Sequence, residues 1–127
     1  MHLSNIRSFF LVSLLFAIPL AAFAESEKPK LIEAIVVNLQ GPERKYLQVE
    51  MAIRPADMEM GERIKTYMPA IRNELILLLA GKDVQQLAPI EGKQQLLRES
   101  RSAINHAMGL SDKKGIKEVS FTSFIIQ

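Results

Sequence analysis

From Leu31 onward, the spacing of apolar positions assigns most of the elements. Leu31 to Leu39 is rich in β-branched residues and closes at Gly41-Pro42, which predicts a strand buried on most of both faces in its second half. Tyr46 to Ile53 alternates with period two. Leu47, Val49, Met51 and Ile53 fall on one side, and Tyr46, Gln48, Glu50 and Ala52 on the other, the pattern of a half-buried strand. The connection from Gln40 to Lys45 is short, so the two strands are expected to pair as an antiparallel hairpin. Arg54-Pro55-Ala56 stops the second strand, because proline cannot donate to a ladder.

A helical period follows. Asp57 is placed to cap a helix N-terminus, and Glu59 and Glu62 lie in its first turns, where negative charge suits the helix dipole. Ile64, Met68, Ile71, Leu75, Leu78 and Leu79 recur on one helical face. Pro69 interrupts the run and predicts a kink or a restart, and Gly81 predicts a left-handed cap at its end. Glu74 to Ala80 is almost continuously apolar, and its C-terminal end is expected to be the most buried part of the domain. A second helix is expected from near Pro89 to Gly109, with Leu96, Leu97, Ile104 and Met108 inward and Glu91, Lys93, Arg98, Glu99 and Arg101 largely outward. Ser111 to Gly115 is a polar turn. Ile116 to Ile126 is a final strand, with Val119, Phe121, Ser123 and Ile125 expected on one face and Ser120, Thr122, Phe124 and Ile126 on the other. The order β-β-α-α-β predicts a small α+β domain with its helices packed on one face of an antiparallel sheet.

The N-terminal segment has a different character. Met1 to Ser8 carries Arg7, Phe9 to Leu20 is apolar apart from Ser13, and Ala22-Phe23-Ala24 precedes the charged Glu25-Ser26-Glu27-Lys28. This is the order of a secretory signal peptide cut after Ala24. The same residues also fit a short membrane anchor: Phe9 to Ala24 would make about 24 Å of helix against a hydrocarbon core of about 30 Å. Residues 1–24 are thus expected to be a signal peptide or short anchor, 25–30 a linker and 31–127 the folded domain. Either reading carries the domain across the cytoplasmic membrane, since Arg7 holds the N-terminus inside.

Composition narrows the chemistry. The 127 residues hold 16 Lys or Arg and 14 Asp or Glu. Only Arg7 among the charged residues precedes Glu25, so the remainder is close to neutral and offers no electrostatic footprint for nucleic acid. Cysteine is absent, which removes disulfides, thiolate metal sites and a cysteine nucleophile. His106 is the single histidine beyond the leader, and its helical neighbours Ser102, Ala103, Met108 and Leu110 include no metal ligand. Asp57, Glu59 and Glu62 lack the spacing of a calcium loop. Glu91-Gly92-Lys93 lacks the rest of a phosphate-binding loop and reads as a helix N-terminal turn. Ser100, Ser102, Ser120 and Ser123 have neither a histidine at a useful offset nor a nucleophile elbow. No catalytic, cofactor-binding or metal residue is nominated, and an enzyme would need a carboxylate pair in a cleft. Arg98, Arg101, Lys113, Lys114 and Lys117 cluster near the end of the second helix, as a solvated face or as a contact surface for an acidic partner or lipid headgroups.

Several phrases occur together in one order: Val37-Asn38-Leu39; Arg44-Lys45-Tyr46-Leu47-Gln48-Val49-Glu50-Met51-Ala52; Pro69-Ala70-Ile71-Arg72-Asn73-Glu74-Leu75-Ile76 with Leu79-Ala80-Gly81-Lys82; Ile90-Glu91-Gly92-Lys93-Gln94-Gln95-Leu96; and the ending Val119 to Gln127. In this the chain resembles the FliL family of flagellar basal-body-associated proteins, from about Leu31 to Gln127. The resemblance implies a non-enzymatic accessory of the flagellar motor, without cofactor or small-molecule substrate. Its domain would lie on the periplasmic side of the inner membrane, with a fold similar to that of stomatin-type scaffolds. It further implies association with basal-body and stator proteins, self-association into a ring, and support of torque, swimming and swarming. Helix one and the sheet edge are the expected contact surfaces. The family has a full-length transmembrane helix and a linker, whereas this chain has a 16-residue apolar run followed closely by the domain. A periplasmic envelope module that keeps the fold without a motor role is the alternative.

Overall fold

The central strand of the sheet explains the rest of the architecture. A computed structural model describes residues 28–111 and 115–127. In it β1 (Lys30–Asn38) and β2 (Tyr46–Pro55) form the antiparallel hairpin expected from the sequence, and β3 (Ile116–Ile126) pairs antiparallel with the other side of β2. The strand order is β1-β2-β3. Leu47, Val49, Met51 and Ile53 of β2 are all completely buried, so the period-two reading of this strand holds at every inward position. Between β2 and β3 run α1 (Met58–Thr66), α2 (Met68–Ala80), α3 (Val84–Leu87) and α4 (Ile90–Ala107). Their inward residues Ile64, Ile71, Leu75, Leu79, Leu87, Leu96 and Ile104 join one core with the inner face of the sheet. This is the expected α+β arrangement, with the first helix divided and a short helix added. The leader, residues 25–27 of the linker, and Asp112, Lys113 and Lys114 of the last turn lie outside the described residues.

Both outer strands depart from simple alternation, and at the same level of the sheet. Along β1, Ile32 faces Met51 and Ile35 faces Val49, so Glu33 and Ala34 together oppose Glu50 alone. Along β3, Ser123 faces Glu50 and Phe121 faces Met51, leaving Thr122 as the extra residue. These are β-bulges, one on each side of β2 around Glu50. Each resets the alternation by one position, so Ile32 and Ile35 both point inward, and Phe121 and Phe124 both pack against the core. The expected faces of β3 are therefore corrected. Val119, Phe121, Phe124 and Ile126 share the core side, and Ser123 and Ile125 pair across from Glu50 and Gln48 on the other. The second half of β1 is likewise buried on one face only: Ile35 and Val37 are buried, whereas Val36 is 60% exposed. Among the described residues no layer covers the outer face of the sheet, so Val36 stands in solvent there.

The first helical run restarts at its proline. Asp57 caps α1 by accepting from the Met60 amide at 2.8 Å, α1 ends at Thr66, and α2 begins beyond Tyr67 with Pro69 in its first turn. Gly81 is not a left-handed cap; it continues in right-handed helical geometry. The last turn tightens instead, with the Gly81 N–H donating to the Leu78 carbonyl at 3.4 Å and the Lys82 N–H to that of Leu79 at 3.1 Å. The segment after β1 then meets this end of the helix: the Gln40 side-chain amide donates to the Ala80 carbonyl at 2.9 Å, and the Gln40 backbone N–H donates to the Lys82 carbonyl at 2.8 Å. Asp83 then opens α3 through a capping box, accepting from Gln86 N at 2.8 Å while Gln86 Oε1 accepts from Asp83 N at 3.0 Å.

Glu74 to Ala80 is apolar around the helix but is not buried around it. Leu75 and Leu79, four residues apart, are completely buried, while Leu77 on the opposite side is 64% exposed and Ile76 is also exposed. At its C-terminal end Leu79 is completely buried while Leu77 is not, because α2 meets the sheet and α4 on one flank only.

Gly92 is a glycine that the packing of backbone against backbone requires. It sits in the first turn of α4, and a Cβ there would lie 1.6 Å from the Gln86 carbonyl oxygen of α3. Two substitutions test this packing. Leu75→Asp places an unpaired charge in the core and is expected to lower stability by at least about 4 kcal/mol, read by denaturant unfolding. Gly92→Ala raises helix propensity by about 1 kcal/mol. It is nonetheless expected to destabilise by about 3 kcal/mol, because backbone must move to admit the methyl.

Candidate interaction surfaces

The chemistry-bearing residues are dispersed over the fold. His106 projects from α4 with a side chain 79% exposed, its Nδ1 3.7 Å from Glu74 Oε1 of α2. Asp57 is occupied in capping α1, Glu62 lies 3.3 Å from Lys65 Nζ, and Glu59 is exposed in the first turn. Among the described residues, no three His, Cys, Asp or Glu side chains come together as a metal site would require. Of the four serines weighed from the sequence, Ser100 is completely buried in α4 with no protein partner for its Oγ, and Ser102 is exposed. Lys93, next to Gly92, donates to the Ala88 carbonyl at 2.8 Å and stands 5.3 Å from the centre of the Phe124 ring. It closes the start of α4 against β3.

The basic cluster at the end of α4 is divided by the structure. Arg101 is half-buried and donates to the Ile116 carbonyl, tying α4 to the first residue of β3. Arg98 is exposed and holds the side-chain carbonyl of Gln95 at 2.7 Å. Lys117 is exposed and engaged in contacts of its own. Lys113 and Lys114 lie outside the described residues.

Three other surfaces stand out by their chemistry. The outer face of the sheet carries Val36, Tyr46 and Ile125 in solvent, with Val36 and Ile125 flanking Gln48 in one row across the strands. The outer side of α2 presents Ile76 and Leu77. At the other end of the domain, Lys28, Pro29, Lys30 and Leu31 border a groove of about 560 Å³ with Pro55, Met58, Gly61, Glu62, Lys65 and Met68. The β1 edge is protected at its bulge, where Arg72 of α2 donates to the Glu33 carbonyl at 2.8 Å and to that of Ala34 at 3.4 Å. None of the described helices is long and apolar enough to cross a membrane.

The comparisons with known proteins agree on what the domain is. Relatives include the flagellar protein FliL of Escherichia coli strain K12, 28% identical over 97 residues, which cover 76% of this chain and 62% of that protein. The flagellar protein FliL of Aquifex aeolicus is 28% identical over 99 residues, covering 77% of this chain and 60% of the relative. The match thus spans about three-fifths of the length of these relatives. The model of the family described as flagellar basal body-associated protein FliL matches residues 30–127, from the first residue of β1 to the residue that follows β3. With all seven described elements inside that match, the chain belongs to the FliL family.

Proposed function

We propose that the chain is a non-enzymatic accessory of the bacterial flagellar motor, with its folded domain on the periplasmic side of the inner membrane beside the basal body and its stator units. The observation that carries this reading is the coincidence of the family match with the complete folded unit, residues 30–127. The dispersion of His106, the acidic side chains and the serines supports a role in association. In this reading residues 1–24 deliver or tether the domain as signal peptide or short anchor, and residues 25–30 link it to the membrane. Exposed Leu77 and Ile76 on α2 and the open face of the sheet are suited to contact with stator proteins or with further copies of the chain, as a ring would require.

Such an accessory matters most when torque is high. Deleting the gene in its flagellated host is expected to lower swimming speed progressively as medium viscosity rises and to reduce swarming, with recovery from a plasmid-borne copy. Unchanged motility across the viscosity range would replace the motor role with that of a periplasmic envelope module.

A further inference from the structure

We propose that the groove between the start of β1 and α1 is a docking face for an anionic phospholipid surface. Its lining residues include three lysines, Lys28, Lys30 and Lys65, against a single carboxylate, Glu62, which lies 3.3 Å from Lys65. Positive charge is thus concentrated here in a domain that is otherwise close to neutral. Apolar side chains stand in solvent beside it: Met58, at the first turn of α1, is 56% exposed, and Leu31 is 68% exposed. Cationic heads with unpaired apolar neighbours match a headgroup region, where phosphates meet the lysines and apolar side chains reach the acyl boundary.

Gly61 shapes this face. It is buried on α1, and a Cβ at that position would lie 3.1 Å from Lys30 Cε. The missing side chain lets the Lys30 stem lie along the helix with its ammonium directed into the groove.

The occupant follows from where the groove sits along the chain. Lys28 lies four positions after Ala24, the end of the apolar leader, a reach of at most about 14 Å even when fully extended. A leader held in the bilayer therefore keeps the groove close to the membrane surface, within reach of the headgroups. This inference rests on the proposal that the leader tethers the domain. It explains how a short linker would serve: the domain lies on the membrane by its own surface and needs no long stalk.

The chain contains no tryptophan, so an introduced one reports on a single place. The full chain carrying Met58→Trp is reconstituted with brominated-lipid vesicles of phosphatidylcholine alone or of equal parts phosphatidylcholine and phosphatidylglycerol. Leu77→Trp, nine residues beyond Met68 and about 14 Å further along α2, is the control. The expected result is strong quenching and a blue shift of the Met58→Trp emission in anionic vesicles, little change in neutral ones, and little change for the control in either. Combining the probe with Lys28→Gln, Lys30→Gln and Lys65→Gln is expected to lower the docking equilibrium by about a hundredfold, each lysine near an anionic surface contributing a factor of about five. Circular dichroism of that variant should match the parent. A chain recovered with the vesicles whose Met58→Trp emission is unaffected by lipid charge, or by loss of the lysines, would overturn the docking face alone. A chain that stays out of the vesicle fraction would overturn the tether together with the docking face. Neither result bears on the motility test.

Discussion

The structure depends on burying the inner face of β2. Leu47, Val49, Met51 and Ile53 lie on one face of a strand that is hydrogen-bonded on both sides, so none can shift without moving both neighbours. A one-residue slip would turn all four into solvent. The flanking strands adapt to β2 instead. Ile32 and Ile35, and Phe121 and Phe124, are spaced by three, and a spacing of three can face one side of a sheet only where an extra residue is inserted. Two bulges at the level of Glu50 reconcile the apolar spacing of the outer strands with the strict alternation of the central one.

That constraint separates the domain's faces. Helices cover the inner side of the sheet, and α2 and α4 bury one flank each against it, so Val36, Ile125 and Leu77 remain outward although they are as apolar as their buried neighbours. Arg72 meanwhile fills the carbonyls exposed by the β1 bulge and closes part of that edge. Contact chemistry is left on the outer sheet face, the outer side of α2 and the lysine-lined groove. These are three directions in which one small domain could meet a membrane, a partner and a copy of itself.

Much of this was legible from residue spacing. The β2 alternation, the Asp57 cap, the restart at Pro69 and the stop at Gly109, where φ is +68°, could each be read from a few adjacent residues, and the family resemblance from five phrases in order along the chain. What escaped were features decided by distant partners or masked by a second pattern. Gly81 reads as a left-handed cap from its neighbours, yet it stays right-handed where Gln40, forty residues from Ala80, bonds the end of the helix. Leu77 looks buried when the apolar run is read as a block and exposed when its angle from Leu75 is followed around the helix. The short helix α3 had a signal in Asp83 and Gln86, an acidic cap with glutamine three residues on, within a stretch too brief to show a period. The need for glycine at position 92 depends on the Gln86 carbonyl and has no local signature. The surfaces were hardest to read. The basic residues that cluster in sequence near Arg101 are partly spent on tying α4 to β3, whereas Lys30 and Lys65, thirty-five positions apart, are brought together only by the fold.

A β2-centred domain that works while folded, against the membrane beside the flagellar basal body, has a place where it can be seen. Cryo-electron tomography of intact cells can look there, comparing basal bodies from the parent, the deletion strain and a strain carrying Leu75→Asp. Density is expected on the periplasmic face of the inner membrane next to the basal body in the parent, with its loss in both other strains. Basal bodies with the same membrane-proximal density in all three would rule that placement out.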